Sequence, residues 1–374
     1  MTNRQTVPPF SRLRQVGDAA VASGIVPGLV VAVGAPTLAG ESAFLCFGTL
    51  GSRQTPVTRA TNYDLASLTK PICTSVLTMQ AVNEGRLQLA DPVARWVPQA
   101  PADITIEHVL THTTGWPAHR KLYQELVPDA SGYSFVTAPL REELVRQAAV
   151  TPLEASPGTR LMYSDLGFIV LGKVLETIFE RPLDEAFATR VALPLRCPGL
   201  CFNPKPFEVA PTEKCGWRSR LLTGQVHDQN AWIMGGVAGH AGLFGSAQDL
   251  AVMTASLLRS YEGNTQSRDP VAQTTLLHFW THRGPASATW ALGWDRPSTG
   301  FSLAGQRISR EAVGHLGFTG CSLWIDPLAH VFVVTLCNRL YPELREDPRF
   351  RLLRPAIMDA ALEDVGYMSG IAVT

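Results

Sequence analysis

Short apolar runs concentrate at the two ends of the chain. Residues 28–40 and 42–51 are two such runs joined by a turn that contains glycine and proline, which predicts a hairpin of two strands. Near the other end, three further strands are predicted over residues 289–295, 321–327 and 330–338. A closing helix is predicted over residues 351–365.

The middle of the chain has apolar residues every three or four positions, which is the spacing of amphipathic helices. Helices are predicted over residues 72–82, 105–112, 140–149, 166–179, 183–191, 247–258 and 271–280. We therefore expect an α/β protein of the α+β type, in which both termini build an antiparallel sheet flanked by helices and a mainly helical lobe is inserted. The expected single unit, 1–374, divides into a sheet lobe of about 1–66 plus 286–374 and a helical lobe of about 67–285.

Charge and composition exclude several classes of protein. Lys plus Arg and Asp plus Glu both number 32, so the chain lacks the basic surplus of a nucleic-acid binder. The N-terminus has no apolar signal core and no run is long enough to span a bilayer, which predicts a cytoplasmic location without a membrane span. Seven cysteines without a Cys-x-x-Cys pair predict reduced thiols; no metal and no organic cofactor are implied.

One of the few lysines stands three residues after a serine. The chain has five lysines, which are Lys70, Lys121, Lys173, Lys205 and Lys214. Pro71 fits a helix only in its first turn, so Ser67 and Lys70 stand on one face of a helix start. A partly desolvated lysine can take the proton of a serine hydroxyl. The alternative is a serine N-cap followed by a surface lysine.

Tyr163, Ser164 and Asp165 form a second candidate element, in a loop directly before an apolar helix. A cationic lysine nearby would lower the pKa of Tyr163 enough for its phenol to act as a general base. The alternative, which the triplet alone favours, is a helix cap by Ser164 or Asp165 with a packed Tyr163.

A third candidate lies in the glycine-rich segment 314–320, which precedes a predicted strand. Closely spaced glycines let a backbone approach a substrate, and an exposed strand-edge N–H can complete an oxyanion hole. The alternative is a glycine-rich turn with a solvated His315.

Taken in order, the three elements resemble the signature of class C β-lactamases, related penicillin-binding proteins and family VIII esterases. They are Ser-x-x-Lys at 67–70, Tyr-Ser-Asp at 163–165 and His-x-Gly at 315–317. Two further stretches, 110–115 (Leu-Thr-His-Thr-Thr-Gly) and 242–250, also resemble family segments. The likeness runs from about Val26 to the end of the chain, and it implies the β-lactamase and penicillin-binding-protein fold and a serine hydrolase.

The resemblance implies a role for each matched residue. Ser67 is implied as the acylated nucleophile, and Lys70 and Tyr163 share its proton as a coupled pair in which the base is not assigned. The N–H groups of Ser67 and Phe318 are implied as the oxyanion hole. His112 belongs to a family turn, in a capping or core role.

Two matched positions depart from the family pattern and bear on the substrate. Asp165 is a carboxylate where the family has an amide, and His315, where the family has lysine, would be charged only at lower pH. Both are expected to bind substrate, together with Gly317 and with His240, which falls near the pocket rim. No role is assigned to two polar loop residues, His227 and Asp228.

These features predict hydrolysis of an ester or amide through an acyl-enzyme on Ser67, with esterase-like or peptidase-like specificity. β-Lactamase, D-amino-acid peptidase or penicillin-binding protein, and acyltransferase are alternatives within the same class. A non-catalytic sensor of acyl groups or peptidoglycan fragments is the alternative from another class. The expected partner is a small ester, amide or β-lactam-like molecule; the oligomeric state is not predicted.

Overall fold

The computed structural model describes residues 9–51, 54–130, 138–206, 209–283, 288–344 and 346–367. Within these ranges no helix is both long enough and apolar enough to cross a membrane. The prediction that the N-terminus lacks an apolar signal core includes residues 1–8, and these lie outside the described residues.

Helices make up most of the middle of the chain. Those in the described ranges are α1 (Ser11–Ala22), α2 (Val76–Asn83), α3 (Ile106–Leu110), α4 (Leu122–Leu126), α5 (Ala138–Ala149), α6 (Asp165–Phe179), α7 (Leu183–Phe187), α8 (Leu193–Leu195), α9 (Gln229–Ile233), α10 (Ala247–Tyr261), α11 (Gln273–Trp280) and α12 (Pro348–Asp364). A π-helical turn, Lys70–Ser75, leads into α2, and a second, Ala188–Ala192, joins α7 to α8. The predicted helices are found, with ends shifted by a few residues.

The strands assemble into one large sheet and two small ones. They are β1 (Gly28–Gly34), β2 (Ser42–Gly48), β3 (Asn62–Asp64), β4 (Cys201–Phe202), β5 (Lys214–Cys215), β6 (Arg220–Leu221), β7 (Leu243–Ser246), β8 (Val313–Leu316), β9 (Ser322–Asp326) and β10 (Val331–Cys337). The large sheet is antiparallel in the order β2-β1-β10-β9-β8, and the small ones are β3-β7-β4 and β5-β6. The predicted hairpin and the sheet built from both termini are confirmed.

The central strand β1 is buried along its whole length. Because successive side chains of a strand point to opposite faces, β1 contributes to two hydrophobic cores. Leu29, Val31 and Val33 pack with side chains of α1 and α12 on one face. Val30 and Ala32 pack on the other face with the core that includes α2, α6 and α10. The sheet is therefore covered by helices on both sides.

Residues 289–295 do not form the predicted strand. Isolated bridges join Trp290 to Asp295 within this segment and Asp295 to Gly314 of the edge strand β8. Gly293 has a φ of 77°, and a Cβ there would lie 1.9 Å from Ser75 Oγ, so the chain turns back tightly against the start of the helical lobe. The segment is apolar because most of its side chains are buried in the core, and its bond to the sheet edge is an isolated bridge, not a strand.

The expected boundary between the lobes at 285–286 falls within residues 284–287, outside the described ranges. The sheet lobe and the inserted helical lobe are both observed, and their limits stay predictions.

We predict that Leu29→Ala lowers the free energy of unfolding by about 2–5 kcal/mol, because it leaves a cavity at a side chain with 0% exposure. The matched control is Leu352→Ala, at a residue that is 60% exposed, which we expect to cost less than about 0.5 kcal/mol. Urea unfolding followed by tryptophan fluorescence measures both. Equal losses in the two variants would contradict the central position of β1.

Candidate active site

Ser67 lies in a tight turn between β3 and the helix that follows. The 3-10 turn Ala66–Leu68 holds Ala66 at a φ of 48°, a strained conformation for a residue with a side chain. Two hydrogen bonds fix this conformation: the Ala66 N–H donates to Asp64 Oδ1 at 2.8 Å, and Thr69 Oγ1 donates to the Ala66 carbonyl at 2.7 Å. The turn places Ser67 in the wall of a cavity.

Lys70 is fully buried, and its ammonium group makes three polar contacts. Nζ lies 3.0 Å from Ser67 Oγ, 3.1 Å from the His240 carbonyl oxygen and 2.7 Å from Asp165 Oδ1. Burial lowers the pKa of Lys70, but the charge of Asp165 and the contact with Tyr163 raise it by more, so this pKa lies above its ordinary value. The amine is therefore a cation in the free protein.

Tyr163 completes the group of three. Its hydroxyl is close enough to Ser67 and Lys70 for both groups to lower its pKa, and Lys70 Nζ lies 4.8 Å from the centre of its ring. Burial raises the pKa of Tyr163 and outweighs the lowering by Lys70, so the net shift is upward. The prediction that Lys70 lowers the pKa of Tyr163 is therefore wrong for the free protein, because the loss of solvent around the phenol raises this pKa by more than the cation lowers it.

His112 positions the loop that carries Tyr163. Its Nδ1 accepts the Ser164 N–H at 3.1 Å, its carbonyl accepts the Met162 N–H at 2.8 Å, and its ring lies 4.5 Å from that of Tyr163. The expected core role of His112 agrees with its 1% exposure. Ser164 makes no side-chain cap, because its hydroxyl donates to the Pro117 carbonyl instead.

Asp165 is the first residue of α6 and faces the buried lysine. Oδ1 forms the ion pair with Lys70, and Oδ2 lies 3.4 Å from His119 Nδ1. Burial raises the pKa of Asp165, but Lys70 and His119 lower it by more and hold it well below its usual range. Asp165, which is predicted to contact the substrate, thus lines the cavity and also compensates the charge of Lys70.

His315 lies on the edge strand β8 and is only 3% exposed, so the alternative of a solvated turn residue is wrong. Nδ1 lies 2.8 Å from the Leu316 carbonyl, which can only accept, so Nδ1 carries the proton. Burial and the Lys70 charge lower the pKa of His315 to about 3. The expected role as a cation at mildly acidic pH is therefore wrong, because the buried ring stays neutral there.

The turn after β8 brings the predicted oxyanion residue to the cavity. A Cβ on Gly317 would lie 2.6 Å from the Leu65 carbonyl, so only glycine permits this approach to the Ser67 turn. Phe318 follows with its side chain half exposed. Arg354 Nη2 donates to the Gly317 carbonyl at 2.5 Å, and Arg339 Nε donates to the Phe318 carbonyl at 2.8 Å. Two arginines of the cavity wall thereby fix the turn.

His240 was expected at the pocket rim. It lies instead in the buried wall of the cavity, with 1% of its surface exposed. Its Nε2 lies 2.9 Å from Asp228 Oδ1, which also accepts the Ala231 N–H at 2.7 Å as the N-cap of α9. His227 pairs through Nε2 with Glu213 at 3.1 Å and packs against the ring of Phe318. Asp228 and His227 carried no motif signal in the sequence, because only folding brings their loop to the cavity.

The predicted site residues meet at one cavity of about 850 Å³, a size suited to a small organic molecule. Those that line it are Ser67, Tyr163, Asp165, His240, His315, Gly317 and Phe318. Lys70 lies behind Ser67 and Tyr163, in contact with both. The structure therefore brings the three sequence motifs together.

Comparison with known proteins identifies the family of this chain. The family model described as "Beta-lactamase" matches residues 13–356. A curated relative from Salmonella paratyphi B, named "Putative D-alanyl-D-alanine carboxypeptidase", is 33% identical, with 76% of this chain and 71% of the relative covered. The chain therefore belongs to the β-lactamase family.

Solved structures at lower identity share the fold. EstCE1, a hydrolase with promiscuous acyltransferase activity, has a TM-score of 0.73 at 23% identity over 94% of this chain and 97% of that one. A penicillin-binding protein homologue from Pyrococcus abyssi has a TM-score of 0.71 at 22% identity over 97% and 79%. The fold is that of β-lactamases and penicillin-binding proteins, as the motifs implied.

We predict that His315→Gln reduces the loss of stability on acidification. The unfolded chain binds a proton at histidine as pH falls below about 6.5, whereas folded His315 stays neutral down to about pH 3, so acid favours unfolding. Removing this one group should lessen the loss between pH 7.5 and 5.5 by about 1 kcal/mol.

The measurement is urea unfolding of both proteins at the two pH values. His330→Gln serves as the control, because His330 is exposed and outside the cavity. An unchanged pH dependence in His315→Gln would show that folding does not lower the pKa of His315.

Proposed function

We propose that the protein is a serine hydrolase that cleaves an ester or amide bond through an acyl-enzyme on Ser67. One observation carries the proposal: Ser67 Oγ lies 3.0 Å from the buried Nζ of Lys70, and the same Nζ lies 4.8 Å from the ring of Tyr163, which lines the cavity beside Ser67. A serine next to such a proton acceptor pair is the arrangement of an activated nucleophile. A module that only binds has no need of all three groups.

In acylation, Ser67 Oγ bonds to the acyl carbon and its proton passes to the pair formed by Lys70 and Tyr163. The pair then gives a proton to the leaving alcohol or amine as the scissile bond breaks. In the second half, water attacks the acyl-enzyme, its proton passes to the pair, and Ser67 regains a proton as the acid leaves. The N–H groups of Ser67 and Phe318 are proposed to bind the oxyanion of both tetrahedral intermediates.

The pH dependence of acylation follows from the charge of the pair. The pKa values of Lys70 and Tyr163 are both raised in the free protein, by Asp165 and by burial respectively. The reactive form is the one that has lost a single proton, and this form becomes more populated as pH rises. The two groups titrate together, so the proton belongs to the pair and not to either residue.

We predict that Ser67→Ala abolishes hydrolysis of a p-nitrophenyl acyl ester and the initial burst of nitrophenol. Tyr163→Phe should lower kcat by about 10²–10⁴-fold, because it removes one member of the proton-transfer pair. Stopped-flow absorbance measures burst and turnover. Ser219→Ala, at an exposed serine away from the cavity, is the matched control.

Full turnover of every accepted ester by Ser67→Ala would overturn the proposal. Mass spectrometry of the chain after reaction with a penicillin or a fluorophosphonate separates the alternatives. A lasting penicillin adduct on Ser67 supports a penicillin-binding protein, rapid turnover of penicillin supports a β-lactamase, and failure of both probes supports a sensor.

A second candidate, a carboxypeptidase, is favoured by the charge of the cavity wall. Arg339 and Arg354 both line the cavity beside Phe318, and within the described residues neither forms a salt bridge with a carboxylate. Two guanidinium groups can replace the lysine that the third motif lacks as partners for a substrate carboxylate. The name of the Salmonella relative points in the same direction.

If this second function holds, an acyl-D-alanyl-D-alanine peptide with a free terminal carboxylate should be cleaved with at least about 10-fold higher kcat/KM than its carboxamide. Arg339→Met should lose this preference, and Arg12→Met, at a distant exposed arginine, should keep it. Equal rates for carboxylate and carboxamide would exclude a carboxylate-binding role of the arginines. Release of D-alanine, measured by a coupled amino-acid oxidase assay, gives the rates.

A further inference from the structure

Three metal-ligating side chains from separate parts of the chain meet in the cavity beside Lys70. In the ranges that the structure describes, the ligand atoms of His119, Asp165 and Asp228 all lie within 4.8 Å of one another. His119 precedes α4, Asp165 begins α6 and Asp228 caps α9, so no sequence motif joins them. We propose that these three residues bind one divalent transition-metal ion of the zinc type.

The spacing of one pair of donor atoms fits such an ion. His119 Nδ1 and Asp165 Oδ2 are 3.4 Å apart, which is long for a hydrogen bond to a charged group. A tetrahedral ion with ligand distances of about 2.1 Å separates its ligands by about 3.4 Å. The imidazole in the set favours zinc and its neighbours over magnesium or calcium, which prefer oxygen ligands alone.

A further observation is that the buried residue His240 orients Asp228, one of the three proposed ligands. His240 is 1% exposed and directs Nε2 at Asp228 Oδ1, 2.9 Å away, while the Ala231 N–H holds the same oxygen at 2.7 Å. Metal-binding carboxylates are commonly oriented by such outer hydrogen bonds, which fix their geometry before the ion arrives. Asp165 is fixed in the same way, because its other oxygen contacts Lys70.

The chemistry of the cavity explains what the ion contributes. All three ligands line the cavity that contains Ser67, so the remaining coordination position of the ion faces the substrate. His315 is neutral and cannot supply the positive charge that the family's lysine gives. A bound cation supplies positive charge for a substrate oxygen on the Asp165 side of the cavity.

The test is a binding measurement and does not depend on acylation of Ser67. The chain is stripped with a chelator, in a Cys46→Ser background, because Cys46 is an exposed thiol and thiolates are zinc ligands. Zn²⁺ is titrated by calorimetry, and Co²⁺ is added separately for its visible spectrum. We expect one ion per chain, with the strong Co²⁺ absorption of a tetrahedral site.

The variants His119→Gln and Asp228→Asn should each weaken Zn²⁺ binding by at least about 10-fold. His330→Gln is the matched control, because His330 also lies beside a carboxylate, Glu262, but outside the cavity. The metal-free melting temperature of each variant tests its folding. His119 is exposed, so we expect His119→Gln to fold. This variant therefore tests the proposed zinc site even if Asp228→Asn is unstable.

Zn²⁺ should also raise the melting temperature of the parent protein but not of His119→Gln. The proposal is overturned if the parent binds no stoichiometric ion, or if a folded His119→Gln binds Zn²⁺ as tightly as the parent. A loss of esterase activity without a loss of Zn²⁺ binding would contradict the proposed function alone.

Discussion

The burial of one lysine is the constraint on which the site depends. A charged amine without exposed surface is stable only when its charge and its hydrogen bonds are compensated. Lys70 obtains this compensation from the Asp165 carboxylate, the His240 carbonyl and the Ser67 hydroxyl. These partners come from three distant parts of the chain, so holding the lysine in place also assembles the cavity around Ser67.

The large sheet and the helical lobe each contribute one side of the cavity. The helical lobe carries Lys70, Tyr163 and Asp165, and its packing against the sheet rests on the alternate residues of β1. The edge strand β8, from near the end of the chain, brings Gly317 against the Ser67 turn. The strained turn at Ala66 lies where the two parts meet, and hydrogen bonds from both sides of it maintain its conformation.

The two departures from the family pattern shift the charge of the cavity in the same, negative direction. Asp165 adds a negative charge beside the amine of Lys70, and His315 removes a positive charge because its ring is buried and neutral. Cationic side chains elsewhere in the cavity wall, among them Arg339 and Arg354, stand in place of the lysine that the family has at the position of His315. This redistribution distinguishes the protein from family members that use a lysine in the third motif.

Much of the architecture was predictable from apolar spacing, since strands at both ends and helices between them leave few ways to close a sheet. The spacing failed at residues 289–295, where burial in a turn produced the same pattern as a strand. The order of the three motifs also predicted which residues would share the cavity. It did not predict the pKa values, because the degree of burial outweighed the charge effects that spacing suggests.

The sequence by itself determined the elements and the chemical groups: a serine, a lysine and a phenol in a fixed order, on segments whose local structure follows from nearby residues. Only the tertiary structure decided which charges compensate one another, because Asp228, His119, Arg339 and Arg354 reach the cavity through contacts between distant segments. Local patterns are set by neighbours along the chain, whereas electrostatic pairing depends on distances through space.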